Sequence, residues 1–144
     1  MNLRGSGAPY AIVDAADGRR IGSIDGVRVF HECHPGAIYL HGGRQWEVTE
    51  LRVGERTAVA RRVEVEHYTA ALAEKETEIL ELFGTRHEGG LQAWLARLLV
   101  RERVVGYERK RIFSQEVVEQ LPLELPAVEY EPHGFFWSAP QMLE

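Results

Sequence analysis

Turn-forming pairs recur along the first half of this 144-residue chain and leave room only for short elements between them. They are Asp17-Gly18, Asp25-Gly26, Pro35-Gly36, Gly42-Gly43 and Gly54-Glu55. Asp-Gly and Gly-Gly pairs accept the positive backbone φ that tight hairpin turns need. Turn signals about 8–12 residues apart are typical of small antiparallel barrels and sandwiches. The sequence therefore predicts a mainly β fold, a small antiparallel barrel or sandwich of SH3-like or similar type, with at most one short helix.

Alternating and β-branched residues between these turns mark the strands. The predicted strands are Tyr10–Asp14, Ile21–Ile24, Val27–Cys33, Ala37–His41, Gln45–Arg52, Thr57–Val65 and the long run Leu91–Val105. Asp25-Gly26 is predicted to be a hairpin turn. The prolines that punctuate the chain beyond Leu121 permit only short or edge strands. Phe135–Trp137 is expected to dock back onto the core.

The composition is that of a chain able to fold alone. A chain of 144 residues buries most of its unfolded surface. The single cysteine, Cys33, excludes an internal disulfide and fits a reducing compartment. No apolar run reaches the ~18 residues of a membrane span, and the first residues lack the apolar stretch of a secretory signal. We expect one cytoplasmic domain over residues 1–144, with flexible ends at 1–9 and 139–144 and no membrane contact.

Basic and acidic residues are segregated along the chain, although the formal net charge is only −5. Residues 64–88 contain seven glutamates against two basic residues, and residues 97–111 contain six basic residues against two glutamates. If strand alternation continues through Gly106, one face carries Arg97, Arg101, Arg103, Tyr107, Arg109 and Arg111. Cations beside an aromatic ring suit a groove for single-stranded DNA. The alternative is a solvated face whose arginines pair with the glutamates of residues 64–88, which says nothing about function.

A second candidate surface is the turn region that carries His34, Tyr39, His41 and Arg44. Tyrosine and histidine can stack on bases, and Arg44 can bind a phosphate. The same turn can instead face another protein domain. Core packing is the preferred role for Tyr39.

Nearby histidines and the cysteine do not have the spacing of a metal site. Cys33 and His34 point to opposite faces of a predicted strand, and no Cys-x-x-Cys pair occurs. A catalytic Cys33–His dyad lacks a third member and an electropositive setting. We therefore predict no metal ligand and no catalytic residue in this chain.

Motifs for nucleotide hydrolysis are also absent from the sequence. It contains no G-x-x-x-x-G-K-[ST] phosphate loop and no Asp-Glu-Ala-Asp or Asp-Glu-x-His box. Without a glycine-rich phosphate cradle, its lysine and a magnesium-binding carboxylate, the chain is not expected to hydrolyse ATP alone. No cofactor is predicted for it.

The stretch His34–Thr69, which includes Tyr39–Gly43 and Trp46–Leu51, resembles a segment of the large bacterial superfamily 2 DEAD/DEAH-box DNA helicases of the YprA type. Val104–Lys110 and Leu123–Pro126 extend the resemblance, which runs from about residue 21 to residue 140. None of these segments is a catalytic motif. The resemblance implies an accessory domain that lies beyond the two motor domains and has been excised from a larger protein.

In that family the parent protein is a 3′-to-5′ ATP-dependent DNA helicase of DNA repair. The resemblance implies that ATP and magnesium bind only to the parent's motor domains. Zinc likewise belongs to the parent, in a four-cysteine module that this chain lacks. The implied partners are those motor domains and single-stranded or junction DNA.

The segment Ala70–Phe83 fits two structures. Its residues have high helix propensity, and Gly84 is placed to end a helix. In the resembled family the matching region is more like a linker that enters a strand, which favours a strand beginning near Thr77. Short apolar runs do not separate the two, so both readings stay open.

Three functions are compatible with this pattern. The leading one is a non-catalytic helicase domain that contacts single-stranded DNA, braces the motor domains, or both. The alternative is a free-standing protein-interaction module of Tudor or SH3-like type, which needs an exposed aromatic cage built from residues such as Tyr39, Trp46 and Tyr68. A small enzyme is the third, and the sequence shows no acid/base pair for it.

Overall fold

The computed structural model describes residues 7–88, 91–132 and 135–140, with side chains over 7–84 and 95–132. Its elements are β1 (Tyr10–Asp14), β2 (Arg20–Ile24), α1 (Val29–Glu32), β3 (Ile38–His41), β4 (Arg44–Arg52), β5 (Thr57–Val63), β6 (His67–Glu88), β7 (Leu91–Arg111), β8 (Val117–Pro122), β9 (Val128–Tyr130) and β10 (Phe135–Pro140). The curled sheets form a half-barrel. The predicted mainly β fold with one short helix is confirmed.

Five short strands form the first sheet, in the order β2-β1-β5-β4-β3. All neighbours are antiparallel except β1 and β5, which run parallel. Gly42 and Gly43 connect β3 to β4 with φ of +62° and +73°. Positive φ at both central residues is the requirement of a type I′ hairpin turn, so the turn predicted from the Gly-Gly pair is confirmed.

The second sheet is a long hairpin with a broken third strand. β6 and β7 pair along almost their entire length. The chain then returns along the other edge of β7, where β8, β9 and β10 pair in turn with its end, its middle and its beginning. Proline lacks the amide hydrogen that a ladder needs, so the prolines at 122, 126 and 132 divide this return into short strands, as predicted.

Several expectations concern residues that the structure does not describe. The side chains of Phe135–Trp137 lie outside the described residues, although their backbone forms part of β10. Of the predicted flexible ends, residues 1–6 and 141–144 also lie outside them, whereas Ala139 and Pro140 belong to β10.

The prediction of a strand over Val27–Cys33 is wrong, and so is the hairpin turn at Asp25-Gly26. The Asp25 carboxylate accepts a hydrogen bond from the Val27 amide at 2.7 Å, and the Asp25 carbonyl accepts one from the Val29 amide at 3.0 Å. These bonds close a turn just before the helix, where an extended strand would leave the same groups unpaired, although the N-cap residue Arg28 makes no side-chain cap bond. The segment therefore forms a helix of four residues, which buries the adjacent Val29 and Phe30, and not a strand with alternating burial.

The ambiguous segment 70–83 is strand throughout, and the strand begins at His67 rather than near Thr77. Helix propensity is a weak preference that tertiary context overrides. Here the competing context is a continuous antiparallel ladder with β7.

One apolar cluster joins the two sheets. Its buried members are Tyr10, Ile12, Ile24, Val29, Phe30, Cys33, Ala37, Trp46, Val48, Ala58, Ala60, Val104 and Val128. The first sheet, α1, β7 and β9 all contribute. The part of β7 around Val104 therefore belongs to the same core as the first sheet. His31 on α1 also lies 3.2 Å from the Glu102 carboxylate on β7, which adds a polar contact between α1 and the long hairpin.

Candidate functional site

A bulge at Val105 divides the predicted basic face. Leu72 pairs with Gly106 while Ala73 pairs with Val104, so Val105 has no partner on β6. One extra residue in a strand inverts which residues point to each side beyond it. The arginines at 97, 101 and 103 therefore share one face, and Tyr107, Arg109 and Arg111 follow on the opposite one. The expectation that all six share a face is wrong.

Tyr107 is consequently buried rather than displayed to a ligand. Its ring packs against the His34 ring in a tilted arrangement, with the ring centres 4.5 Å apart and the planes at 37°. Gly36, with φ of +88°, lies directly under the same ring, since a Cβ there would be 2.9 Å from Tyr107 Cζ and closer still to the hydroxyl oxygen. The role expected for Tyr107 as an exposed platform for a base does not fit this position. Tyr107 and His34 instead hold the loop after α1 against β7.

His34 is fully buried, so the expectation that the turn displays it is also wrong. Its Nδ1 lies 2.9 Å from the carbonyl oxygen of Pro35, and Nε2 has no hydrogen-bond partner among the described residues. Burial lowers the pKa of His34, and the hydrogen bond to Pro35 opposes that shift only in part. The ring is therefore neutral near pH 7 and packs as a core aromatic residue.

Arg97, Arg101 and Arg103 lie opposite glutamates across the hairpin. The register pairs Glu81 with Arg97, Glu76 with Arg101 and Glu74 with Arg103, and Glu78 lies on the same face. Directly opposed residues of an antiparallel pair share a face, so this side of the hairpin is a ladder of alternating charge. Four carboxylates against three guanidinium groups give it no surplus of positive charge.

Arg97 and Arg101 are also tied to the returning third strand. Arg97 lies 3.0 Å from Glu131 and 3.6 Å from Glu81. Arg101 donates from Nε to Glu129 at 2.8 Å and forms a second, shorter contact through its terminal nitrogen. Glu129 is buried, whereas Arg101 keeps about half of its side chain exposed at 54%. These two arginines therefore stabilise the packing of β9 and its flank against β7.

On the other side of the bulge, Arg109 lies 3.1 Å from Glu119 of β8, and Arg111 lies 3.5 Å from Glu116. Arg103 differs from these arginines, because it is exposed and forms no ion pair within the described part of the chain. Most of the predicted cations are thus already paired, and chiefly with the third strand rather than with the glutamates of residues 64–88.

The β3–β4 hairpin end displays His41 and Arg44, which face each other across the turn and are both exposed. Leu40 beside them is 69% exposed. Tyr39 is half-buried and stacks on His41 with ring centres 6.2 Å apart, and it packs against the apolar core. Arg44 forms no ion pair with another described residue. Of the predicted turn residues, His41 and Arg44 are therefore available to a partner.

Cys33 is in a setting that suppresses thiol chemistry. The residue is fully buried, and burial followed by the nearby Glu32 charge raises the pKa of the thiol to about 12. A reactive cysteine needs the opposite environment, one that favours the thiolate. Over residues 7–84 and 95–132, no three histidine, cysteine or carboxylate side chains come together in a way that can hold a metal ion.

The structure also exposes apolar residues that the sequence pattern did not indicate. Ile79 and Leu82 on β6 are 55% and 51% exposed, and Phe113 in the turn after β7 is 92% exposed. Bulges in β6 between Ile79 and Glu81 and between Leu82 and Gly84 hide the alternation of this segment. Its run of apolar residues near Phe83 was the available signal, but it does not distinguish a buried strand from an exposed one.

No helix in the part of the chain that the structure describes is long and apolar enough to cross a membrane. No protein-family model matches the chain. YprA of Bacillus subtilis (strain 168), an uncharacterized ATP-dependent helicase, is 28% identical over 116 residues, which cover 81% of this chain and 16% of that helicase.

Solved structures give a consistent result. The crystal structure of the DUF1998 helicase MrfA bound to DNA matches 88% of this chain and 17% of its own with a TM-score of 0.68 and 28% identity. The structure of MrfA bound to DNA and AMPPNP matches 88% and 16% with a TM-score of 0.67 and 25% identity. This chain thus spans only 16–17% of the length of the helicases it matches. It is homologous to a segment of YprA and shares the fold of the matching part of MrfA.

Proposed function

We propose that this chain is a non-catalytic accessory domain of an ATP-dependent DNA helicase and that it acts chiefly by bracing the motor domains. The observation that carries the proposal is the charge ladder on the β6–β7 hairpin, combined with the helicase homology. In this proposal ATP and magnesium bind to the motor domains, zinc binds to a separate cysteine module of the parent, and the helicase works in the cytoplasm in DNA repair.

Bracing is favoured over DNA binding because the arginines are already engaged. A protein binds the DNA backbone through cations that release counterions from the phosphates. Arg97 and Arg101 are held by Glu131 and Glu129, and a phosphate must displace those carboxylates first. Adjacent glutamates on the same face add repulsion. The ladder is therefore a poor track for a polyanion.

A direct DNA contact needs cations that no carboxylate already holds. Arg44 at the β3–β4 turn and Arg103 on β7 are the predicted candidates that meet this condition within the described residues. His41 beside Arg44 adds an exposed ring that can stack on a base. We infer that a secondary DNA contact uses the β3–β4 turn.

The alternative of a Tudor or SH3-like module is less well supported. Its aromatic cage requires Trp46 to be accessible, and Trp46 is buried in the core at 5% exposure. Tyr39 is occupied by its stack on His41 and by core packing.

Binding of this chain to labelled single-stranded and duplex DNA, measured across a salt series, tests the choice between bracing and DNA contact. We expect weak binding that Arg44→Glu reduces and that Arg103→Glu reduces less. Tight binding with a steep salt dependence that is lost in Arg97→Glu and Arg103→Glu would contradict the bracing role, because it would place DNA on the ladder.

Unwinding and ATP hydrolysis by the parent helicase test the accessory role itself. Removing this domain is expected to reduce unwinding, and the excised chain alone is expected to hydrolyse no ATP. A parent that unwinds DNA equally well without the domain would refute the proposed function.

A further inference from the structure

The distal part of the β6–β7 hairpin has two faces of different chemistry. Cross-strand pairing places Ile79 beside Leu98 and Leu82 beside Ala96. Directly opposed residues share a face, so these four form the apolar side of the hairpin, opposite the charge ladder. The arm is therefore amphipathic in the way expected of a sheet that covers something on one side only.

Only the β7 half of this apolar face is covered. Leu98 and Ala96 are buried, whereas their neighbours Ile79 and Leu82 on β6 are more than half exposed. Phe83, in the adjacent bulge, is 52% exposed. Large apolar side chains grouped on the surface of a folded domain usually mark an interaction site. β6 also has no strand paired to its outer edge among the described residues, which leaves room for a partner there.

The charge of the arm limits what can cover its apolar face. From residue 73 to residue 84, β6 carries four glutamates and one lysine, a net charge of −3. These glutamates lie on the ladder face, so they act on an occupant of the apolar face only through the net negative charge of the arm. That charge repels phosphates and disfavours DNA. A second copy of the chain is disfavoured too, because it would bring another arm of the same charge alongside. The complementary occupant is an apolar protein surface without an acidic surplus.

We propose that the apolar face of distal β6, defined by Ile79 and Leu82 with Phe83 in the adjacent bulge, docks onto such a surface in the remaining part of the helicase polypeptide, of which this chain matches only 16–17%. This inference rests on the proposed function and specifies the surface through which bracing occurs. The charge ladder then faces away from the docked partner, and the ion pairs of Arg97 and Arg101 hold the returning strand against β7. Docking would bury the β6 half of this face as the β7 half is already buried.

Thiol labelling tests this placement because the native cysteine is inert. Cys33 is buried and its thiol has a pKa raised to about 12, so it labels slowly in the folded protein. Ile79→Cys introduces a thiol on the apolar face, and Glu78→Cys introduces one at the preceding residue on the opposite face. Both positions are exposed, so neither change should disturb folding. Maleimide modification of the β6 peptide is quantified by mass spectrometry in the isolated chain and in the parent helicase.

We expect both thiols to label at comparable rates in the isolated chain. In the parent, the Ile79→Cys thiol should label at least about tenfold more slowly, while the Glu78→Cys thiol should change little.

Other outcomes would overturn the docking itself. Equal labelling of Ile79→Cys in the two contexts would show that nothing covers this face. Protection that appears only after DNA is added would make DNA the occupant, and protection in the isolated chain that grows with concentration would make a second copy the occupant. Loss of unwinding on removal of the domain is measured separately. A parent that shows protection but unwinds normally without the domain would refute the proposed function while leaving the docking intact.

Discussion

A single methyl group at Gly36 tests how the loop after α1 packs against the long hairpin. Gly36 has φ of +88°, and a Cβ there would lie 2.9 Å from Tyr107 Cζ and nearer to the hydroxyl oxygen. Gly36→Ala therefore has two costs. Holding a non-glycine residue at this φ costs about 1–3 kcal/mol. Forcing a methyl group into the tyrosine ring costs about 1–3 kcal/mol more.

The expected loss in free energy of unfolding is thus about 2–6 kcal/mol, and the two costs can be separated. Tyr107→Phe removes the hydroxyl that the methyl group meets first. That hydroxyl forms no hydrogen bond to another described residue, so Tyr107→Phe alone should change stability little. In the Tyr107→Phe background, Gly36→Ala should cost about 0.5–3 kcal/mol less than in the wild type, which is the usual range for directly contacting residues.

Urea unfolding of the four proteins in this cycle gives the coupling energy. With an m-value of about 1–3 kcal/mol/M, a loss of about 3 kcal/mol lowers the unfolding midpoint by about 1–3 M. Additive effects, with Gly36→Ala equally costly in both backgrounds, would refute the contact between Gly36 and Tyr107. Tyr107 would then regain its place as a candidate for ligand binding.

Three further predictions concern buried polar groups. Arg101→Ala should lower the midpoint of urea unfolding more than Arg103→Ala. Arg101 pairs with the buried Glu129 carboxylate, whereas Arg103 has no ion pair among the described residues. Equal effects of the two substitutions would contradict this. Burial keeps the pKa of His34 in the folded protein below its unfolded value near 6.5. The free energy of unfolding that His34 contributes is therefore complete above about pH 6.5 and falls as the pH drops from there toward the folded-state pKa. His34→Phe should flatten that part of the curve of unfolding free energy against pH, and an unchanged slope would rule His34 out as its source. The Cys33 thiol should react with a disulfide reagent only at the rate of unfolding, and rapid reaction in the native protein would show that the loop opens.

The sequence predicted the short strands of the first sheet because their signals are local. Gly42-Gly43 specifies a tight turn through its backbone freedom, and Trp46 and Val48 alternate with polar residues as a half-buried strand requires. The segment Val27–Cys33 shows where a local signal failed. Alternation there was compatible with a strand, but the hydrogen bonds of Asp25 begin a helical turn instead.

The arginines show why the candidate site was harder to predict than the fold. The sequence alone determined that basic residues concentrate near β7 and acidic residues near β6. Which of them share a face depends on Val105, since one unpaired residue inverts the alternation beyond it. Which of them are paired depends on β8 and β9, which return along β7 and bring their own glutamates. Strand periodicity is a property of neighbours in the chain, whereas register and ion pairing join residues far apart in sequence, so only the tertiary structure decided where the free charges and the exposed apolar face lie.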